Sequence, residues 1–170
     1  AEGRYLFNAD ETIEIYFKDA ILFAKWRGNN TIEPLKINDS TFYIKEMNEK
    51  LLFVSQPKVH IKLAKKREHD GKEYSFTKLE FGKKTPSEYF DNNEYELAKN
   101  GYLEIQQKDS LNLVINEHSM NSLGYDYIRN KEYNKALEIF KINSALYPTS
   151  SNTYDSTADA YLRMKDTVNA

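Results

Sequence analysis

The spacing of apolar residues changes once along this chain of 170 residues. Before residue 83, apolar side chains alternate with polar ones in short runs, and turn residues separate the runs at intervals of about ten. After that point, apolar side chains recur every three and four residues, which is the spacing of a helix face. The chain is therefore predicted to be α+β with segregated halves: an antiparallel β-domain over residues 1–83 and a helical domain over residues 84–170.

About eight short strands are predicted in the first domain. Ile13, Ile15 and Phe17 share one face of a strand. Pro34 makes the strand from Ile32 to Ile37 an edge strand, because proline has no N–H to donate to a neighbour. A meander of this size must curl or cover its edges. We expect a β-meander shaped as a lipocalin-like barrel or a strongly bent sheet.

The last predicted strand runs from Glu73 to Phe81, after the dipeptide Asp70-Gly71, which is typical of a two-residue hairpin turn. Its apolar residues change from even to odd positions near Thr77. A β-bulge there would explain the change.

Helix signals begin at Thr85, the predicted N-cap, with Pro86 at the first helical position. A helix face follows, and Ser110 or Asn112 is expected to cap a turn that ends at Ile115. The residues of that face are Tyr95, Ala98, Tyr102 and Ile105.

Residues 117–150 resemble a tetratricopeptide repeat, which has a period of about 34 residues. Gly124 and Ala136 are small where two helices would cross closely, whereas Met120 and Asn143 depart from the pattern. The same spacing recurs over residues 151–170, so the chain is expected to stop within the second helix of a second, partial repeat. The matching positions are Leu123, Gly124, Tyr127, Ala136, Phe140 and Pro148, and then Tyr154, Ala158, Tyr161 and Ala170.

A closer resemblance lies in the segments Asn121-Ser122-Leu123-Gly124-Tyr125, 136–143, 147–150 and 152–156. They look like the tail of many bacterial serine hydrolases of the β-lactamase-related and esterase type, common in the Bacteroidetes group. There, a catalytic domain is often followed by a small β-domain and such repeats. The resemblance implies that this chain is an accessory C-terminal region, that an upstream catalytic domain is a partner, and that it is periplasmic or secreted.

Several kinds of chemistry are not indicated by the sequence. The chain has no cysteine, so thiolate metal sites and cysteine nucleophiles are excluded. Its net charge of −2 argues against nucleic-acid binding. No Gly-x-Ser-x-Gly elbow is present, and Ser55 with Lys58 matches a Ser-x-x-Lys spacing only by count. The three histidines have no ligand spacing, and no glycine-rich phosphate loop occurs. We expect no catalytic residue, metal, cofactor or membrane span.

The leading hypothesis is therefore a non-catalytic protein-interaction and support module. Its partner would lie in the groove formed by the first helix of each repeat. One alternative is binding of a small apolar ligand by the β-domain; another is self-association through the truncated repeat. A solvated groove face with no partner also remains open. The groove candidates are Asn121, Tyr125, Arg129, Asp155, Asp159 and Arg163.

Overall fold

A computed structural model describes residues 2–170. The chain divides into two compact units, a β unit that extends to Lys84 and a helical unit from Thr85 to Ala170. Two antiparallel sheets precede the helices along the chain. The predicted α+β class is thus confirmed. Within the described range, each helix is too short or too polar to cross a membrane.

The first sheet has four antiparallel strands in sequence order. Asp19 and Ala20 connect the second strand to the third, and both have positive φ. Two left-handed residues give a hairpin turn whose twist matches that of the strands. The strands are β1 (Gly3–Asn8), β2 (Glu11–Lys18), β3 (Ile21–Trp26) and β4 (Asn29–Ile32).

The second sheet has five antiparallel strands, also in sequence order. One isolated bridge, Tyr5 to Lys78, links it to β1, and the Leu79 amide donates to the Arg4 carbonyl at 2.7 Å. The sheets are not closed into a barrel by a continuous ladder. The strands are β5 (Leu35–Asn38), β6 (Thr41–Ile44), β7 (Glu49–Val54), β8 (His60–Leu63) and β9 (Ser75–Thr77).

Three details of the β prediction were wrong. The run from Ile32 to Ile37 is interrupted at Pro34, so that its halves form the edge strands of two different sheets. Asp70-Gly71 has the expected positive φ values, but residues 64–74 form a long connection containing the 3₁₀-helix Arg67–His69. The last strand ends at Thr77, and Phe81 is fully exposed in a turn. The change of phase therefore marks the end of a strand, not a bulge.

One hydrophobic core lies between the strands of the β unit. Every sheet strand except β5 contributes a buried side chain, because alternate residues of each strand point inward. Aromatic rings fill much of this core: Phe7 lies 5.3 Å from Trp26 and 5.1 Å from Phe76, and Tyr5 meets Phe53 edge-on. The space between the sheets is thus occupied by the chain's own side chains.

The helical unit contains five α-helices. Thr85 caps the first helix through a capping box with Glu88, and Asn112 caps the 3₁₀-helix Leu113–Ile115, as predicted. Residues after Arg163 form turns, so the expected start of a second helix before Ala170 is not observed. The helices are α1 (Pro86–Asp91), α2 (Tyr95–Lys108), α3 (Glu117–Arg129), α4 (Tyr133–Leu146) and α5 (Ser151–Arg163).

Candidate functional site

The six predicted groove residues lie on two neighbouring helices. α3 carries Asn121, Tyr125 and Arg129, and α5 carries Asp155, Asp159 and Arg163. Both helices pack against α4, and they also contact one another. The structure therefore places the six residues on adjacent helices of one unit.

Both groove arginines form ion pairs with an acid on their own helix. Arg129 pairs with Asp126, and the Arg163 Nε lies 3.4 Å from an Asp159 carboxylate oxygen. More than half of each arginine side chain is exposed. Exposed ion pairs of this kind stabilise a helix by about 0.3–0.5 kcal/mol. A partner's carboxylate can therefore replace the intrahelical one at little cost in stability.

Asn121 is half-buried on α3. Its Oδ1 atom is buried, and among the described residues it has no hydrogen-bond partner. A peptide in the groove could reach this oxygen only after the side chain rotates. Tyr125, by contrast, is held in place by an edge-on contact with the Phe140 ring at 5.2 Å.

Asn143 and Glu117 hold α3 in place. The Asn116 side chain caps the helix by accepting from the Ser119 amide. The Nδ2 atom of Asn143 donates to the Glu117 carbonyl at 3.1 Å, and Ser150 and Asn152 donate to the Glu117 carboxylate. The Asn143 amide thus ties α4 to the start of α3.

The close approach predicted at Gly124 is present. A Cβ atom at this position would lie 2.2 Å from the Phe140 ring, which is closer than any side chain tolerates. Phe140 and Ala136 are fully buried. Glycine at this position thus lets α4 pack directly onto the backbone of α3.

Sequence reasoning missed that α1 and α2 form an equivalent hairpin. The amides of Glu94, Glu132 and Asp166 each donate to a tyrosine carbonyl at 2.9 Å, in three turns of the same form. The middle residue of each turn has positive φ: 61° at Asn93, 62° at Lys131 and 62° at Lys165. The sequence carried a signal, because Tyr89, Asn92, Glu94, Tyr95 and Ala98 recur as Tyr127, Asn130, Glu132, Tyr133 and Ala136.

This first hairpin was missed because its spacing differs. The connection from α2 to α3 spans residues 109–116, whereas the connection from α4 to α5 spans residues 147–150. In this equivalence, Asp91 occupies on α1 the position that Arg129 occupies on α3 and Arg163 on α5. It also aligns Phe90 with Ile128 and Leu162.

A cleft of about 540 Å³ lies beside the turns of the first two hairpins, away from the six groove residues. Burial raises the pKa of Tyr127 nearby, and the Asp91 carboxylate raises it further. The hydrogen bond to Glu132 raises the pKa of Lys135, whose ammonium lies 5.4 Å from the centre of the Tyr127 ring. Tyr127 therefore stays neutral and Lys135 stays charged at neutral pH, so neither is poised to act as a general base.

The histidines are not grouped as metal ligands. The His69 Nε2 atom lies 2.9 Å from a Glu49 oxygen in the β unit, and His60 approaches the Lys58 carbonyl. Over the described part of the chain, no three histidine or carboxylate side chains converge.

Comparison of the chain with models of known protein families, with curated proteins and with solved structures found no match. Its function must therefore follow from its own residues and contacts.

Proposed function

We propose that this chain is a non-catalytic protein-interaction and support module built on tetratricopeptide-type hairpins. The observation that carries the proposal is the repetition of one turn geometry after α1, α3 and α5, together with the close crossing at Gly124. Arrays of such hairpins commonly bind an extended segment of another protein along one face.

The groove surface offers both signs of charge to a partner. Arg129 and Arg163 can bind carboxylates, and Asp155 is exposed on the same helix as Arg163. The ring of Tyr125 on α3, held by its edge-on contact with Phe140, supplies an apolar surface on the same face. A peptide with alternating acidic and basic residues around an apolar side chain would fit this surface.

Selection from a library of displayed random peptides tests this groove. We expect enriched peptides to lose at least about tenfold in affinity with Arg129→Glu or Asp155→Lys, because each reverses a contact charge. Lys108→Glu is the matched control, since this exposed lysine lies at the end of α2. Peptides that bind all three variants equally would contradict the groove as the binding surface.

We further propose that the module is the accessory region of a larger bacterial serine hydrolase, exported to the periplasm or the cell exterior. The support for this role is the resemblance of residues 121–156 to the tails of such enzymes. Reading the coding sequence immediately upstream tests it. A serine nucleophile motif in frame is expected, and a start codon directly before the chain would exclude the accessory role.

The second candidate function is binding of a small apolar ligand by the β unit, with its sheets acting as a lipocalin-like barrel. The Tyr5–Lys78 bridge and the shared core support this shape. Because that core is filled, the favoured place is a surface cleft of about 690 Å³ between β1 and residues 78–84, where Leu79 and Phe81 are apolar.

An environment-sensitive apolar dye tests the second candidate. Phe81→Ala should abolish saturable dye binding by the full chain, because Phe81 lines the cleft. Phe17→Ala removes an exposed ring elsewhere on the β unit and should leave binding unchanged. Equal effects of both substitutions would reject the cleft as a ligand site.

A further inference from the structure

A short segment after β9 is fixed along β1 at two points. The Leu79 amide donates to the Arg4 carbonyl at 2.7 Å, and the Arg4 Nη1 atom donates to the Lys83 carbonyl at 3.0 Å. Between these points, the Lys83 amide donates to the Glu80 carbonyl across a turn in which Gly82 has a φ of 77°. The surface cleft of about 690 Å³, called the β1 cleft below, therefore has walls that are held together by hydrogen bonds within the β unit.

The side chain of Lys78 lies directly on the backbone of β1, and both line the β1 cleft. A Cβ atom on Gly3 would come within 2.5 Å of the Lys78 Cε atom and 3.1 Å of its ammonium nitrogen. Gly3 also has a φ of 136°, which residues with a side chain rarely adopt. The missing side chain at Gly3 thus lets a lysine ammonium rest against the cleft wall.

Seven charged residues line the β1 cleft, and four of them are already engaged by the chain itself. The Glu2 carboxylate accepts from the Phe17 amide at 3.0 Å, and Glu14 pairs with a lysine of β3 at 3.2 Å. Arg4 donates to two neutral oxygens, and Lys84 has an interaction partner. These four residues are therefore not the first choice for holding a ligand.

The other three charged residues are Lys78, Glu80 and Lys83. Within residues 2–170, their side chains have no hydrogen-bond or ion-pair partner. Two ammonium groups and one carboxylate leave a single positive charge uncompensated in the cleft. A ligand with one negative charge would balance it, whereas the Glu80 carboxylate would repel the second charge of a dianion such as a phosphate monoester.

We propose that the ligand of the β1 cleft is an apolar small molecule that carries one carboxylate. Lys78 and Lys83 bind the carboxylate, and Leu79 and Phe81 contact the apolar part. This inference rests on the proposed binding of a small apolar ligand by the β unit and adds the chemical class of that ligand. A few charged groups beside apolar surface are what fixes a ligand's orientation in such a cleft.

Displacement of a neutral dye such as Nile red by two small amphiphiles tests the charge of the ligand. Octanoate carries a carboxylate, and octan-1-ol has the same chain length with a neutral head group. The alcohol leaves water for an apolar site more readily, so a purely apolar cleft should prefer it. We expect octanoate to displace the dye from the full chain at a concentration at least about threefold lower, because two ammonium groups hold its head group.

Substitution of the lysines identifies the groups that bind the carboxylate. Lys78→Gln and Lys83→Gln should each weaken octanoate by about threefold, because each removes one ion pair at an exposed position. Both should change the affinity for octan-1-ol by less than about twofold. Lys62→Gln is the matched control, since this exposed lysine of β8 lies outside the cleft and should leave both affinities unchanged.

The possible failures of this inference and of the proposed function are distinguishable. Octan-1-ol displacing the dye as well as octanoate would overturn the carboxylate assignment, as would equal weakening of octanoate by Lys62→Gln and Lys78→Gln. In both cases the cleft itself still stands if Phe81→Ala abolishes dye binding. Dye binding that does not depend on Phe81 would reject the cleft and this inference together.

An anionic membrane surface is the competing occupant, since lysines beside an exposed aromatic ring also suit such a surface. Sedimentation with phosphatidylglycerol vesicles distinguishes the two. Binding to vesicles that Lys78→Gln removes, together with no displacement of the dye by octanoate, would assign these lysines to a membrane and overturn the small-molecule assignment.

Discussion

The β unit and the helical unit bury similar kinds of side chain by different routes. In the β unit, eight of the nine strands add residues to one shared core, so each buried side chain packs in a cluster that many strands build together. In the helical unit, the two helices of each hairpin pack on one another, α4 also packs on α5 and α2, and the same turn recurs three times. We infer that a destabilising substitution in the core weakens the whole β unit, whereas one in a hairpin acts more locally.

The two units can be followed separately in solution. Trp26 is the single tryptophan and lies in the β unit, whereas all α-helices lie in residues 85–170. Tryptophan fluorescence therefore reports unfolding of the β unit, and circular dichroism at the helix band reports the other. Coincident transitions in every variant below would show that the two units unfold as one.

The largest expected effect is that of Phe140→Ala in the helical unit. Removal of a fully buried ring at the Gly124 crossing should lower the free energy of unfolding by about 4 kcal/mol, since it leaves a cavity between α3 and α4. Denaturant titration followed by circular dichroism measures it. Phe81→Ala, which removes a fully exposed ring, is the control and should cost less than about 0.5 kcal/mol.

Ile61→Ala is the corresponding test in the β unit. Ile61 is fully buried in β8, and its loss should cost about 3 kcal/mol in the fluorescence transition. Ile37→Ala, at a half-exposed position of β5, should change stability little. If the helical transition shifts equally with Ile61→Ala, the contrast between the units is wrong.

Thr85→Ala should have a smaller effect, confined to the helical unit. It removes the side-chain cap of α1 and half of the capping box with Glu88, at a cost of about 1 kcal/mol. Thr167→Ala, at an exposed position, supplies the comparison for urea titration by circular dichroism. A cost as large as that of Phe140→Ala would mean that α1 organises the other hairpins.

The smallest expected effect is a loss of stability in alkali that differs between the units. Burial raises the pKa of Tyr5 above its ordinary value of 10.0, because desolvation disfavours the phenolate. The unfolded chain therefore releases this proton at lower pH than the folded chain. The contribution of Tyr5 to the free energy of unfolding is fully present below the pKa of this tyrosine in the unfolded chain. It is lost as the pH rises through the pKa in the folded chain.

Fluorescence-monitored unfolding between about pH 9 and about pH 11 measures this loss. Tyr5→Phe should flatten the pH dependence of the β transition alone. Tyr127→Phe should do so for the helical transition, because burial and then Asp91 raise the pKa of Tyr127. A pH dependence unchanged by Tyr5→Phe would show that other groups dominate in the β unit.

The sequence was most informative where local spacing decides the structure. The helix start at Thr85, the buried face of Ala98, Tyr102 and Ile105, and the close crossing at Gly124 were all predicted and are observed. Each depends on residues within one hairpin. The groove itself stays a prediction made by analogy with a repeat; its six residues lie on the neighbouring helices α3 and α5.

Sequence reasoning failed where distant residues decide the structure. The early end of β9 depends on the bridge from Lys78 to Tyr5, at the other end of the β unit's sequence. The burial of Asn143 depends on the Glu117 carbonyl that it meets across the hairpin. Neither partner can be read from nearby spacing.

The sequence by itself determined the order of strands and helices, the positions of most turns, and the small residues that allow helices to approach. These follow from backbone preferences and from which side chains avoid water, and both are local properties. Only the tertiary structure decided that Pro34 divides one run between two sheets and that Asn143 is buried against the Glu117 carbonyl. Those outcomes depend on which surfaces meet, because burial is a property of a pair of surfaces and not of either sequence alone.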